Sequence, residues 1–242
     1  MYKLLFLDTE TTGNTPEDRL CQIAYTDGNK LRTEALYKPT VPISIESMAV
    51  HHITTKMVAN KPAFKFSLEY AYLKNFFADE QSVLIAHNAP FDVGMLKHEG
   101  LVPEQMICTL RVARFLDDES KIPLYRLQYL RYYLDIELDE QVTAHDALGD
   151  VLVLEKLFER LQKKIMQKFS KTVDEAIAYM IEISSKPSLM RKFNFGKHKD
   201  KTVEEVSKMD AGYLEWLLKQ KMENEEVEED WLYTLKYYLG KL

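Results

Sequence analysis

Near the N-terminus the apolar run Leu4-Leu5-Phe6-Leu7 leads directly into Asp8-Thr9-Glu10-Thr11-Thr12-Gly13. Four consecutive large apolar residues read as a buried strand. In a strand, residues i and i+2 project to the same face, so Asp8 and Glu10 present two carboxylates side by side at its end. Two like charges about 4 Å apart repel by roughly 4 kcal/mol at an effective dielectric near 20. A folded chain relieves such a pair with a proton, a cation or an exposed surface, and the question is which of these serves here.

The rest of the chain places that strand in a layered α/β fold. Residues 3–8, about 20–26 and about 31–38 read as three successive strands, with Asp27-Gly28-Asn29 as the turn between the second and third. Phe66, Tyr70, Leu73, Phe76 and Phe77 recur at helical spacing over residues 66–78. Ser82–Ala86 reads as a fourth strand, and residues 90–99 as a helix with Asn88 as candidate N-cap and Pro90 in its first turn. Met106-Ile107-Cys108 predicts a short fifth strand, and further helices fit residues 109–116, 124–134 and 145–168. Three strands followed by alternation of helix and strand predict a mixed sheet with helices on its faces. The texture changes near residue 165, where Lys163, Lys164, Lys168 and Lys171 cluster. A helix over 172–183 follows, ended by Pro187, and a small second module runs on from there. The expected division is residues 1–168 and 169–242.

The 242 residues carry a net charge of −6, which argues against a broadly basic nucleic-acid-binding surface; any nucleic acid is held locally or through metal ions. No apolar stretch approaches the 18 or more residues of a membrane span. The chain begins at once with a strand and shows no signal peptide, and Cys21 and Cys108 stand in apolar contexts as reduced core residues rather than a disulfide or zinc site. A cytoplasmic protein is expected.

Two further segments carry chemistry. Asp92, in His87-Asn88-Ala89-Pro90-Phe91-Asp92, falls in the first turn of a helix directly after the fourth strand. Alone it reads as a residue that complements the helix dipole; at a strand end in a mixed sheet it also becomes a site candidate. In Thr143-Ala144-His145-Asp146-Ala147-Leu148-Gly149-Asp150, His145 and Asp150 are five residues apart. They do not share a face of one regular helix. His145 belongs at the helix start, and Asp150 points inward beside the stripe Val151, Leu154, Leu157, Phe158 and Leu161. Each also has a plain reading, a capping His and an Asp paired with a Lys or Arg. Together the segments supply four carboxylates and one imidazole. Carboxylates are hard ligands suited to Mg²⁺ or Mn²⁺, and four of them balance two divalent cations. Two-ion sites of this kind cleave phosphodiesters, and a His with a pKa near 6.5 can take a proton at neutral pH.

The segments Asp8–Gly13, Asn88–Asp92 and His145–Asp150 resemble the three motifs of the DEDDh 3′→5′ exonucleases, the family that includes the proofreading epsilon subunit of bacterial DNA polymerase III. The resemblance spans about residues 1–165. It implies a ribonuclease-H-like mixed sheet flanked by helices and two Mg²⁺ ions, replaceable by Mn²⁺, on Asp8, Glu10, Asp92 and Asp150. His145 is the general base, and 5′-mononucleotides are released from a 3′ end. It also implies that Glu10, Thr11, Asn88 and His51, within Met48-Ala49-Val50-His51-His52-Ile53-Thr54, lie against the substrate. One departure follows Gly13, where the family commonly has an apolar residue against the terminal base and this chain has Asn14.

Downstream, Lys186-Pro187-Ser188-Leu189-Met190, Phe193–Lys201 and Asp210–Leu217 resemble the C-terminal module of the bacterial exonuclease X family. Asp200 stands where Gly is usual and Ala211 where Pro is usual. A small α+β module is expected, with about six Lys or Arg over residues 186–201. Phe193 and Phe195 read either as strand core or as a stacking surface for single-stranded nucleic acid, and Tyr213, Trp216 and Leu217 as a core stripe. The run Glu223–Asp230 reads as a solvated loop and helix start. The expected function is a metal-dependent exodeoxyribonuclease acting on single-stranded or duplex DNA 3′ ends in repair or proofreading, alongside replication or repair proteins. An exoribonuclease of the same family and a non-catalytic nucleic-acid-binding adaptor are the rivals; oligomeric state is left open.

Overall fold

The computed structural model describes residues 1–28, 31–138, 147–223 and 228–242. β1 (Lys3–Thr11), β2 (Leu20–Thr26) and β3 (Arg32–Leu36) form an antiparallel meander. There follow α1 (Ile45–His51), α2 (Thr55–Val58), a one-turn 3-10 helix (Phe64–Phe66) and α3 (Leu68–Phe77). The chain then alternates β4 (Ser82–Ala86), α4 (Ala89–His98), β5 (Met106–Cys108) and α5 (Thr109–Leu116). Next come α6 (Leu127–Tyr133), α7 (Ala147–Phe169) and α8 (Val173–Ser184). The sheet order is β3-β2-β1-β4-β5, with β4 parallel to both β1 and β5. This is the expected mixed sheet, with β1 at its centre.

Alternation along β1 sorts the two cores. Phe6 faces a cluster with Ala24, Val83, Ile85 and Ile107 under α5, α7 and α8. Leu5 and Leu7 face the other side, with Ile23, Leu84, Leu73 of α3 and Leu96 of α4. The apolar stripe of α7 lies on the first face, where Phe158 meets Phe6 edge-on at 5.3 Å between ring centroids. Asp8 and Glu10 share the parity of Phe6, so β1 delivers them towards the α7 side of the sheet. The β1–β2 pairing slips between Glu10 and Thr11, a bulge that re-aims the strand end.

Several expected boundaries move, among them the end of the first strand, which runs on to Thr11 rather than stopping at residue 8. The helix predicted from 124 begins at Leu127, because Arg126 is extended and serves as its cap, and the third strand is shorter than expected. Asn88 does cap α4, but with a left-handed backbone (φ 68°) and no side-chain capping bond. The sequence texture puts a domain division at 168/169; in the fold, α8 buries Ala176, Ile177 and Met180 in the sheet's own core. The Ser184 hydroxyl accepts the Cys108 backbone N–H at 2.8 Å.

The C-terminal module is helical rather than α+β. α9 (Val203–Met209), α10 (Ala211–Glu223) and α11 (Glu229–Tyr238) pack around Phe193, Leu214, Leu217, Trp231 and Leu235. Its only β pairing among the described residues is one bridge, Lys192 with Thr202. The chain between them closes too tightly to extend a ladder: the Phe193 carbonyl takes the Asp200 N–H at 2.8 Å. Asp200 makes that turn in the left-handed region (φ 71°), where Asp is tolerated better than most side chains. Phe193 stacks on Trp231 at 5.1 Å and Phe195 meets the same ring edge-on, so both are core rather than a stacking surface. The α10 stripe is Leu214, Leu217 and Leu218; Trp216, expected inside, is 54% exposed.

Ion pairs join the module to α5. Arg111, itself buried, reaches Glu229 at 2.6 Å and donates to the Ser184 carbonyl at 2.7 Å. Arg114 pairs with Asp230. Cys21 and Cys108 are buried free thiols. Among the described residues no helix is long and apolar enough to cross a membrane.

Candidate active site

Asp8 and Glu10 come from the end of β1, Asp92 from the first turn of α4, and Asp150 from the first turn of α7 as described. Burial, then the charges of Asp92, Glu10 and Asp150, push the Asp8 carboxyl well above its usual range. Burial, then Asp150 and Asp92, lift Glu10 to about 8. Burial lifts Asp92 to about 7 against the hydrogen bonds that favour its ionised form. The fold therefore brings three separate segments into one electrostatic unit. Among the described residues, no three acidic, His or Cys side chains are gathered tightly enough to grip an ion as they stand. The donor set nevertheless fits divalent cations: hard oxygen ligands, partly dehydrated and mutually repelling. His145 lies outside the described residues.

Two side chains that the sequence does not announce hold these acids. Thr9, on the opposite face of β1 from Asp8, donates its hydroxyl to Asp92 Oδ1 at 2.8 Å. Gln128 on α6 donates from Nε2 to Asp150 Oδ1. Neither has a sequence signal beyond Thr9 falling between the two acids, because both act through tertiary contacts.

The remaining predicted residues divide. Thr11 is buried, its hydroxyl donating to the Gly13 carbonyl at 2.6 Å. His51 is buried with both ring nitrogens on backbone. Nδ1 accepts the Ile53 N–H at 3.0 Å, and Nε2 lies 3.1 Å from the Thr11 carbonyl, to which it donates in that tautomer. Burial lowers its pKa. In this structure His51 tethers the end of β1 to α1. Asn88 is exposed beside Asp92, and Asn14 is exposed on the loop after Gly13. A Cβ at Gly13 would collide with the Asp18 carboxylate, which caps that loop through the Thr12 and Thr15 hydroxyls. His87, next to Asn88, is the post of the second motif: Nε2 is 2.6 Å from the Tyr125 carbonyl and Nδ1 2.9 Å from the Thr109 hydroxyl. Burial drops its pKa to about 4, so it stays neutral at pH 7.

A pH-linked prediction follows from the acids. Glu10 and Asp92 hold protons near neutrality in the metal-free protein, and a cation must displace them. Their raised pKa values mean that metal affinity grows as pH rises towards about 8. Each proton displaced changes affinity by about tenfold per pH unit. Calorimetry without substrate should show the apparent Mg²⁺ dissociation constant falling by about two to three orders of magnitude from pH 6 to pH 8, more steeply below pH 7, where both groups carry protons, than above it. A flat profile would mean that the acids are already ionised.

Known proteins match this chain along its length. The RNase_T family, described as exonuclease, matches residues 5–158, and the family described as exodeoxyribonuclease X-like C-terminal matches residues 193–221. Exodeoxyribonuclease 10 of Escherichia coli (strain K12) is 31% identical over 238 residues, covering 98% of this chain and 98% of that protein. A DNA polymerase III subunit epsilon-like protein of Rhodobacter capsulatus is 32% identical over 207 residues, covering 79% of this chain and 28% of that protein. The solved structure of exonuclease X in complex with 5′-overhanging duplex DNA superposes with a TM-score of 0.58 at 28% identity. It covers 75% of this chain and 99% of that chain.

Proposed function

The chain belongs to the RNase_T exonucleases, as a DEDDh-type 3′→5′ exonuclease related to exonuclease X, and from that premise we propose how its residues act on DNA. The observation that carries the reading is the raised carboxyls of Asp8, Glu10 and Asp92, with the charges of Asp92 and Asp150 adding to burial at both Asp8 and Glu10. These acids stand in the three segments whose order and residues match the family's motifs, which supports reading them as its metal ligands.

We assign Asp8, Glu10, Asp92 and Asp150 to two Mg²⁺ ions, with Mn²⁺ as a substitute. When bound, the ions would supply the positive charge that activates water and steadies the leaving oxygen. The chain does the rest. Thr9 and Gln128 fix the carboxylates of Asp92 and Asp150, so the acids are oriented before substrate arrives. His145, two positions before α7 in the sequence, takes the proton from the attacking water. Glu10, Thr11 and Asn88 line the approach to the 3′-terminal nucleotide, and His51 positions Thr11 through its carbonyl. Since both His51 nitrogens serve the backbone, it acts by placement rather than by proton transfer.

The substrate is DNA. Support comes from exodeoxyribonuclease 10, matched end to end, and from exonuclease X, held on duplex DNA with a 5′ overhang. Buried free thiols at Cys21 and Cys108 suit a reducing compartment such as the cytoplasm. Digestion of matched single-stranded, blunt and recessed DNA and RNA ends, with Mg²⁺ and with EDTA, tests the reading. Stepwise release of 5′-mononucleotides from DNA 3′ ends, abolished by EDTA, is expected. Preference for RNA would overturn the assignment of substrate. His145→Ala should cost about 10²–10⁴-fold in turnover, the range of a positioned general base.

A further inference from the structure

A groove of about 1860 Å³ runs between the nuclease domain and the C-terminal module. Its volume exceeds the roughly 300–1,000 Å³ typical of small-molecule pockets. It is lined in part by Asn14, next to Gly13, and by Asn88, Pro90 and Phe91, which lead into Asp92. One wall is the segment 120–126 that His87 clamps through the Tyr125 carbonyl. The other is the module's segment Leu189–Asn194 with Lys199.

The charge of this groove differs from that of the chain as a whole. Arg126, Lys192 and Lys199 line it, are exposed, and make no ion pair among the described residues. Of the acids along it, Glu229 and Asp230 are neutralised by Arg111 and Arg114, and Glu228 pairs with Lys221. Glu17 and Asp200 remain at its edges. The clasp that fixes the module to α5 thus also removes the charge that would repel an anion. Leu124, Leu189 and Met190 add apolar surface between the cations. Spaced cations with apolar surface suit a single strand, whose phosphates and unpaired bases both need a partner.

We propose that this groove binds the single-stranded stretch of nucleic acid behind the 3′ end, with Arg126, Lys192 and Lys199 on its phosphates. The proposal rests on the exonuclease reading and deepens it: the module extends the substrate track rather than carrying chemistry. It also assigns the locally positive surface that an acidic chain needs.

The test uses the full-length protein and the triple variant Arg126→Gln, Lys192→Gln, Lys199→Gln, whose three positions are exposed. Two substrates separate groove from site: a 20-nucleotide single-stranded DNA, and the nitrophenyl ester of thymidine 5′-monophosphate, which ends at the catalytic cleft. The variant should raise KM for the oligonucleotide about tenfold and flatten its log–log salt dependence by about 2, the loss of three single-strand phosphate contacts. Hydrolysis of the ester should be unchanged. An unchanged oligonucleotide KM and salt slope would overturn the groove, as would an equal loss on both substrates, which would place these cations at the catalytic centre. Absence of metal-dependent hydrolysis of either substrate by the unaltered protein would instead overturn the exonuclease reading.

Discussion

Replacing Asp8 with asparagine is expected to abolish metal-dependent nucleotide release while raising the melting temperature of the metal-free protein. The two effects share one cause. Asp8 lies at the middle of the acid cluster, its carboxyl pushed up by burial and by Asp92, Glu10 and Asp150. In the metal-free fold that charge is opposed on every side, so a neutral amide of the same shape relieves repulsion. With metal present, the same substitution removes a ligand and a charge from the set that balances two cations. The activity loss should at least match the ~10²–10⁴-fold contributed by a positioned acid–base group. The stability gain should be larger at pH 8 than at pH 5. A carboxylate with a raised folded pKa stabilises the protonated fold at low pH and loses that stability as pH rises through the folded value. Melting scans in EDTA at the two pH values, beside a nuclease assay in Mg²⁺, measure both. A variant that is inactive yet less stable at pH 8 would mean that Asp8 is structurally satisfied without metal.

Truncation should separate two roles that the sequence merges. A chain ending at residue 168 loses α8, whose Ile177 and Met180 are buried in the nuclease core. It also leaves the buried Cys108 N–H without the Ser184 hydroxyl. The lost burial and hydrogen bond together cost about 4–9 kcal/mol, comparable to the whole stability of a typical domain. We therefore expect that protein to be unfolded or strongly destabilised. A chain ending at residue 186 keeps α8 and the Arg111–Ser184 contact. It should fold and hydrolyse the thymidine ester, while binding the long oligonucleotide more weakly. Circular dichroism melts of the two truncations decide the boundary: equal stability would put α8 outside the nuclease domain.

How far the sequence carried the fold depended on where the signal was local. β2 and β5 are legible to the residue, because apolar runs bounded by turns specify both strand and ends. The apolar stripe of α7 follows from its 3.6-residue period, and Asp8, Glu10, Asp92 and Asp150 from segment order. Gln128 and Thr9 were invisible because their importance lies in what folding brings opposite them. The acidic run before α11 illustrates the same limit. Read as a solvated helix start, it does begin a helix, but Glu229 and Asp230 are held by α5 arginines more than a hundred positions earlier. Trp216 faces outward although its neighbours are apolar, because the stripe that packs is 214, 217 and 218. Asp200 occupies a left-handed turn suited to glycine because local hydrogen bonds on either side close it.

The central position of β1 has a consequence for how the protein is made. Lys3 pairs with Ser82 and Phe6 with Ile85, so this strand leaves the ribosome long before its parallel neighbour exists. During that interval its unpaired edge is a template for pairing with other chains. Its apolar stretch, Leu4 to Leu7, is bracketed by Lys3 on one side and by Asp8 and Glu10 on the other. Charges flanking a β-prone segment act as gatekeepers against aggregation. The carboxylates assigned to metal in the finished enzyme therefore protect the nascent chain first, and a variant that neutralises both should yield less soluble protein even where the folded form is more stable.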